Sequence, residues 1–144
     1  MDNVFIEGVG STTFGQHSNR TAVDLAVEAS LNAIEDAKVD LDKIGTVYLG
    51  NFVSGVLTGQ EVLAGLVADK LGISGVPATK VEGACASGGM AFRHACMAVA
   101  SGSCEVALAV GVEKMTHAKT SLVTEALNCA LDHEVDAASG LTYP

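Results

Sequence analysis

The residue of this sequence that is best placed for covalent chemistry is Cys85. We predict that the stretch Lys80 to Thr116 forms a short strand ending near Gly83, a turn carrying Cys85, a helix from about Ala86 to Ala100 and an apolar strand from Val106 to Val112. The first N–H groups of a helix lack partners within the helix and carry the positive end of its dipole, so a thiolate at this turn is stabilised. We therefore interpret Cys85 as a candidate nucleophile.

The helix that follows Cys85 leaves two interpretations open. Gly88 and Gly89 together cost a helix roughly 2 kcal/mol relative to alanine, so we expect them to make room for a ligand or for a packed backbone. The helix is small or apolar nearly all round, which is typical of a helix buried between layers. Free cysteine is also among the most buried residue types, so position alone fits a core residue equally well.

Strands and helices alternate along the chain. We predict strands at 4–10, 46–52 and after Pro77, and helices from Thr21 to about 37, from Val62 to Gly72 and around 121–131. Residues 51–59 are predicted to be a loop, and 132–143 show no clear element. Helices between strands indicate a mainly parallel sheet, in which reactive groups lie at the carboxyl ends of strands, as Cys85 does.

Composition and charge exclude several classes of protein. The 144 residues are 49% hydrophobic and 17% charged, which supports a globular core. The formal charge of −9 argues against nucleic acid or an anionic membrane as a partner. It also fits poorly with an anionic ligand, so a cationic phosphate site must be local or be supplied by other residues. We find no signal peptide and no apolar run long enough for a membrane span, and we expect a cytoplasmic protein.

Other motifs carry little signal. Cysteines 85, 96, 104 and 129 form no C-x-x-C pair and no zinc-spaced cluster with histidine, so we expect no metal and no disulfide framework. Gly8 and Gly10 begin a dinucleotide fingerprint that lacks its third glycine at Thr13. His117 is the best local candidate for a base, whereas His94 is predicted to be a core or interface residue.

Two motifs resemble one family. Ala84-Cys85-Ala86-Ser87-Gly88-Gly89 and Ala107-Leu108-Ala109-Val110-Gly111-Val112-Glu113-Lys114-Met115-Thr116 are similar to the nucleophile motif and the following strand and loop of thiolases, especially archaeal acetyl-CoA acetyltransferases and sterol-carrier-protein-type thiolases. The resemblance covers essentially the whole chain. It implies an incomplete α/β fold, the N-terminal half of a thiolase, with a mainly parallel sheet and helices on both faces. Residues 1–115 would form that domain, and 116–144 would begin an inserted loop region, so that the chain appears truncated at Pro144.

The resemblance also implies an activity. Thiolases form an acyl thioester on the cysteine matched here by Cys85 and condense it with a second acetyl-CoA to give acetoacetyl-CoA, or run the reverse thiolysis. Coenzyme A thioesters are substrates, and no separate cofactor is implied. Met115 would line the acyl pocket, although a core methionine is the alternative. The family pairs the strand at Ala78 to Gly83 with its copy, which implies a homodimer or tetramer, and a complex with hydroxymethylglutaryl-CoA synthase is a further expected partner.

The chain also departs from the family pattern. The Gly-His-Pro motif that activates the nucleophile and the Cys-x-Gly motif that moves the enolisation proton are absent, and Cys129 is followed by Ala130 and Leu131. We therefore expect this chain alone to be inactive or nearly so. A ketoacyl synthase or hydroxymethylglutaryl-CoA synthase relative is an alternative, although Val112 to Met115 favours a thiolase. A non-catalytic thiolase-like module that pairs with a partner subunit is another.

Overall fold

A computed structural model describes residues 3–136 and 138–142 of the chain. Tyr143 and Pro144 lie outside the described residues, so the structure does not test the prediction for the end of the chain. The helices and strands, in chain order, are α1 (Ala22–Ala37), β1 (Ile44–Gly50), α2 (Ser54–Thr58), α3 (Leu63–Leu71), β2 (Ala78–Val81), α4 (Ser87–Ala100), β3 (Val106–Gly111), α5 (Thr120–Asn128) and α6 (His133–Asp136).

The strands form a parallel sheet in the order β2-β1-β3. Val47 of β1 pairs with Ala78 and Leu108, and Gly50 pairs with Val81 and Gly111. The carboxyl ends of all three strands therefore meet at one edge of the sheet. The predicted parallel sheet is confirmed.

Helices cover both faces of the sheet, as predicted. Val47 and Leu49 of β1 are fully buried in a core that contains Leu63 and Val67 of α3 and Val23 of α1. Successive side chains of a strand point to opposite faces, so Tyr48 faces the other way. The ring of Tyr48 lies 5.6 Å from that of His94 in α4. α1 and α3 therefore cover one face of the sheet, and α4 covers the other.

The first helix begins where its sequence predicts. Thr21 Oγ1 accepts a hydrogen bond from the Asp24 N–H at 3.1 Å, and Asp24 Oδ2 accepts one from the Thr21 N–H at 2.8 Å. These reciprocal bonds satisfy two N–H groups that have no partner within the helix, and they form the predicted capping box. The helix ends at Ala37, also as predicted.

The prediction of a strand at Val4 to Gly10 is wrong for this structure. The segment forms no strand, and the Val9 N–H donates to Asp36 Oδ2 of α1 at 2.9 Å. A Cβ added at Gly8 or Gly10 would lie within 2.4 Å of the backbone of Ala33, so only glycine permits this approach to α1. A cavity of about 650 Å³ is lined both by this segment and by β3. The apolar pattern fits a strand, but a strand forms only when its backbone groups bond to a neighbouring strand, and this segment makes no such pairing.

Two shorter predictions also require correction. Residues 51–59 contain the helix α2, which Gly59 ends with a φ of 70°. The short helix α6 lies within 132–143, where no element was predicted. Helices of five and four residues are too short to show a recognisable hydrophobic period.

The expectation that α4 is buried nearly all round is wrong in this chain. Ser87, Ala91 and Ala95 are buried against the sheet, whereas Phe92 and Met97 are 49% and 51% exposed. A sheet of three strands covers only one face of the helix, and no other described element lies over the opposite face.

No helix among the described residues is both long and apolar enough to cross a lipid bilayer.

The end of β1 approaches the start of α4 so closely that Gly50 cannot be replaced without movement. A Cβ at Gly50 would lie 2.3 Å from the carbonyl oxygen of Ser87 and 2.6 Å from the nitrogen of Gly88. We expect Gly50→Ala to lower the free energy of unfolding by about 1–3 kcal/mol, measured by urea denaturation. The control is Gly65→Ala inside α3, where the nearest atom lies at 3.7 Å and alanine should stabilise the helix by up to about 1 kcal/mol. Equal midpoints for the two variants would contradict this packing.

Asp24 makes stability depend on acid pH. The Lys70 ammonium, with Nζ 2.7 Å from Oδ1, and the N–H and hydroxyl of Thr21 hold the pKa of the Asp24 carboxyl well below its usual range. A lowered folded-state pKa gives stability that is complete above the unfolded pKa of about 3.9 and is lost as pH falls below it.

Asp24→Asn should therefore lower the free energy of unfolding at pH 7 by about 0.5–1 kcal/mol, the range of an exposed ion pair. The deficit should shrink progressively as pH falls below about 4, because the unfolded parent chain then takes up a proton at Asp24 that the folded protein, with its lowered pKa, does not. Thermal melts from pH 7 to pH 2 measure this. Asp42→Asn is the matched control, because Asp42 is exposed and makes no side-chain bond to the described residues. A deficit that stays constant with pH would contradict the assignment.

Candidate active site

The turn between β2 and α4 places Cys85 beside a strained residue. β2 ends at Val81, a 3-10 turn spans Ala84–Ala86, and α4 begins at Ser87. Ala84 has a φ of 48°, in the left-handed region that costs a residue with a side chain roughly 1–2 kcal/mol. Strain of this kind persists only where the surrounding structure imposes it, and it clusters at functional sites.

Side-chain hydrogen bonds close this turn. The Gly83 N–H donates to Ser87 Oγ at 3.0 Å, and the Ser87 hydroxyl donates to the carbonyl oxygen of Ala84 at 2.7 Å. The Glu82 carboxylate accepts from the Ala84 N–H. Ser87 is buried, so water competes weakly for its two bonds. The hydroxyl proton of Ser87 is committed to the backbone, and its role is to shape the turn.

Of the four cysteines, all within the described residues, only Cys85 combines exposure with a helix N-terminus. Cys96 and Cys104 are partly buried, and burial raises the pKa of the Cys104 thiol, which lowers its thiolate fraction. Cys129 is exposed, but it lies at the C-terminus of α5.

Open space lies in front of the first turn of α4. A Cβ added at Gly88 or Gly89 would meet no atom within 4 Å. Their missing side chains are therefore not required by packing among the described residues. The tightly packed glycine is instead Gly50, whose missing side chain lets β1 approach the backbone of Ser87 and Gly88. We predicted that Gly88 and Gly89 make room either for a ligand or for a packed backbone, and the open space favours the ligand.

Met115 lies on the same edge of the sheet as Cys85. It follows β3, while Cys85 follows β2, and β1 separates the two strands. Met115 is partly buried against a cluster formed by Val53, Leu57 and Ala126. The structure thus brings both predicted residues to the carboxyl edge of the sheet and places Met115 on a small core of its own.

A network of hydrogen bonds ties together the loops after β1 and β3. Asn51 Nδ2 donates to Glu113 Oε1 and to the carbonyl oxygen of Val112, both at 2.9 Å. Glu113 Oε2 accepts from the N–H groups of Phe52 at 2.9 Å and Val53 at 3.4 Å. Asn51 is only 1% exposed, so the network is partly shielded from water. It fixes the loop that carries Met115 relative to the central strand.

Asn51 and Glu113 were not predicted from the sequence as site residues. Their positions could have indicated a role, because each is a polar residue at the end of a predicted apolar strand. Because the carboxyl ends of parallel strands meet, such residues come together even though 62 positions separate them.

The two histidines singled out from the sequence have backbone partners. His94 Nδ1 lies 2.7 Å from the carbonyl oxygen of Met90, and its ring packs on Tyr48, as expected for a structural residue. His117 Nε2 donates to the carbonyl oxygen of Leu57 at 3.1 Å. Among the described residues, no group of three or more His, Cys, Asp or Glu is arranged to hold a metal ion.

The family model and the curated relatives identify one family. Residues 4–144 match the model of the thiolase N-terminal domain. The chain is 43% identical to an acetyl-CoA acetyltransferase of Methanocaldococcus jannaschii over 144 residues, which is 100% of this chain and 36% of that protein. It is 30% identical to human sterol carrier protein 2 over 139 residues, 94% of this chain and 25% of that protein.

A solved structure shows the same fold. The acetyl-CoA acetyltransferase of Syntrophomonas wolfei superposes with a TM-score of 0.62 at 27% identity, covering 69% of this chain and 26% of that one. The chain spans little more than a third of the length of the curated archaeal relatives that it matches, at 36% and 37%.

The Glu113 network supplies a stability prediction. Glu113→Gln replaces one carboxylate oxygen by an NH2 group, so the remaining oxygen can accept either from Asn51 or from the N–H groups of Phe52 and Val53, but not from both. We expect the free energy of unfolding to fall by about 1–3 kcal/mol, the cost of leaving a shielded donor unpaired. Urea denaturation measures this, with Glu105→Gln as the control. Glu105 is exposed and has no side-chain partner among the described residues, so its variant should lie within about 0.5 kcal/mol of the parent. Similar losses in both variants would show that the network contributes nothing.

Proposed function

Because the chain belongs to the thiolase family, we propose that it carries the nucleophile of an acetyl-CoA acetyltransferase, Cys85. The observation that supports this most directly is the position of Cys85 itself. The thiol is exposed on a strained turn immediately before α4, and open space lies in front of the two glycines that follow. The activity as a whole would also need residues from the part of its relatives' length that this chain does not span.

The first step of the proposed reaction is acyl transfer to sulfur. The Cys85 thiolate attacks the carbonyl carbon of acetyl-CoA, a carbon–sulfur bond forms, and the coenzyme A thiolate leaves and takes up a proton. Dividing the reaction through a covalent intermediate avoids direct attack of one thioester on another. Cys85 lies just before the N-terminus of α4, whose first N–H groups carry positive partial charge.

The second step forms a carbon–carbon bond. A second acetyl-CoA loses an α-proton to a base, and its enolate attacks the acetyl group on Cys85. Acetoacetyl-CoA leaves and the thiolate is regenerated; thiolysis is the same sequence reversed. Both steps place negative charge on a carbonyl oxygen, and the backbone N–H of Cys85 is the donor that this chain would contribute there. The proton-transfer groups of the family lie in motifs that these residues lack.

The space at Gly88 and Gly89 is suited to the acyl group. A side chain at either position would project into space that no described atom occupies. We assign Met115 to the wall of this acyl pocket. Its position after β3, on a loop held by Glu113 and Asn51, supports that role, and its contact with Val53 and Leu57 would fix the thioether from behind.

The proposal extends to assembly and location. β2 is an edge strand whose outer side pairs with no described residue, which supports pairing with a second copy in a homodimer or tetramer. A complex with hydroxymethylglutaryl-CoA synthase, a cytoplasmic location and the use of no cofactor beyond coenzyme A thioesters are proposed on the family resemblance alone.

Acylation of Cys85 tests the proposed function. We expect the full-length protein to gain the mass of one acetyl group on brief incubation with acetyl-CoA, measured by intact mass spectrometry. Cys85→Ala should abolish this gain and lower activity by at least about 10³-fold, because the nucleophile is lost. Cys129→Ala, which removes the other exposed thiol, is the matched control and should label normally. Labelling that survives in Cys85→Ala would reject Cys85 as the nucleophile. A full-length protein that is folded but never labelled would favour the non-catalytic module.

A further inference from the structure

A second cavity, of about 600 Å³, lies at the N-terminus of α1. It is bounded by the start of α1, by α2 and α3, and by the loop after β3. Its lining residues combine apolar side chains with three cations, Arg20, Lys70 and Lys114, against one carboxylate, Asp69. Its size falls in the range of cavities that bind small molecules.

Lys114 is the exceptional member of this lining. The residue is only 8% exposed, yet it has no hydrogen bond or ion pair with any described residue. Because no fully buried side-chain nitrogen or oxygen among the described residues lacks a hydrogen-bond partner, the unpaired ammonium must reach the open cavity, where it has no counter-charge. The other two cations of the lining are paired, because Arg20 contacts Glu28 at 2.6 Å and Lys70 contacts Asp24 at 2.7 Å. Lys114 is therefore the cation that lacks an anion.

The start of α1 adds donors to the same cavity. Thr21, Ala22 and Val23 line it, and α1 is 16 residues long. The capping box uses the N–H groups of Thr21 and Asp24, and it leaves those of Ala22 and Val23 without a partner among the described residues. A helix N-terminus of this kind binds anions through free N–H groups and the helix dipole.

We propose that this cavity binds the phosphate of an organic phosphate ligand, with Lys114 as the ion-pairing residue. The phosphate lies between the Lys114 ammonium and the N-terminus of α1, and the apolar part of the ligand packs on Leu57, Leu63 and Leu66. The site supplies local positive charge on a chain whose net charge is −9. The proposal goes beyond the acyl-transfer function, since binding here requires neither Cys85 nor turnover.

Binding of inorganic pyrophosphate to the full-length protein tests the site without reference to activity. Isothermal titration at low salt measures the dissociation constant for the parent protein, Lys114→Gln and Lys43→Gln. Lys43 is an exposed lysine just before β1, at the opposite edge of the sheet, and it has no side-chain partner among the described residues. The two substitutions make the same change in net charge. We expect at least tenfold weaker binding for Lys114→Gln and an unchanged constant for Lys43→Gln.

Two further variants keep the test informative if Lys114→Gln folds poorly. Lys114→Arg retains the charge and should bind within about threefold of the parent. Asp69→Asn removes the carboxylate from the lining and should bind more tightly. The proposal is overturned if the folded full-length protein binds no pyrophosphate. That result is expected if a carboxylate from residues outside this chain already pairs with Lys114. It is also overturned if Lys43→Gln weakens binding as much as Lys114→Gln, which would indicate a general charge effect.

Competition identifies the source of the phosphate. If coenzyme A displaces pyrophosphate from the parent protein and loses affinity in Lys114→Gln, the site holds a phosphate of the substrate. If coenzyme A binds alongside pyrophosphate and Lys114→Gln leaves its affinity unchanged, the site belongs to a separate organic phosphate. The Cys85→Ala variant should bind pyrophosphate with the same dissociation constant as the parent protein. The binding test therefore does not depend on whether Cys85 is the nucleophile.

Discussion

The geometry of this chain depends on the close approach of β1 to the first turn of α4. Gly50, at the end of the central strand, lies against the backbone of Ser87 and Gly88, at a distance that no side chain would permit. Because β1 is held between β2 and β3, this contact sets the position of the helix start relative to the whole sheet. The turn that carries Cys85 has to connect β2 to that helix start within a few residues. The left-handed conformation of Ala84 accompanies this short connection.

The edge of the sheet where this happens is rigid because its loops bond to one another. Ser87 closes the turn before α4 through two backbone groups, and Glu113 holds the N–H groups that follow β1. Apart from Ser87, the first residue of α4, the groups in these bonds lie outside the α-helices and strands. Both sets of bonds satisfy polar groups that would otherwise be left unpaired near the core, where an unpaired group costs more than a hydrogen bond gains. A reactive group mounted on such an edge keeps its orientation, which is the property that a nucleophile needs.

Charge is distributed unevenly over the molecule. The chain is acidic as a whole, and two carboxylates of α1 are paired, Asp24 with Lys70 and Glu28 with Arg20. Lys114 has no such partner even though it is almost fully buried. Net charge therefore describes the long-range field of the protein, whereas the recognition of an anion depends on which cations remain uncommitted at one place.

The sequence by itself determined the features that are decided within one turn or one strand. The capping box of Thr21 and Asp24, the end of α3 at Gly72, and the strand-turn-helix around Cys85 were all predicted, because each depends on neighbours a few positions away. The family could also be identified from the sequence, since its two motifs are contiguous stretches.

The tertiary structure determined which residues each surface contacts. The pattern of residues 4–10 could not show that this segment would lie on α1 instead of pairing, nor could the composition of α4 show that Phe92 would remain exposed. The bond between Asn51 and Glu113 and the isolation of Lys114 depend on residues far apart in the chain. Local signals specify which elements form, but the partners of a side chain follow only from how those elements are packed.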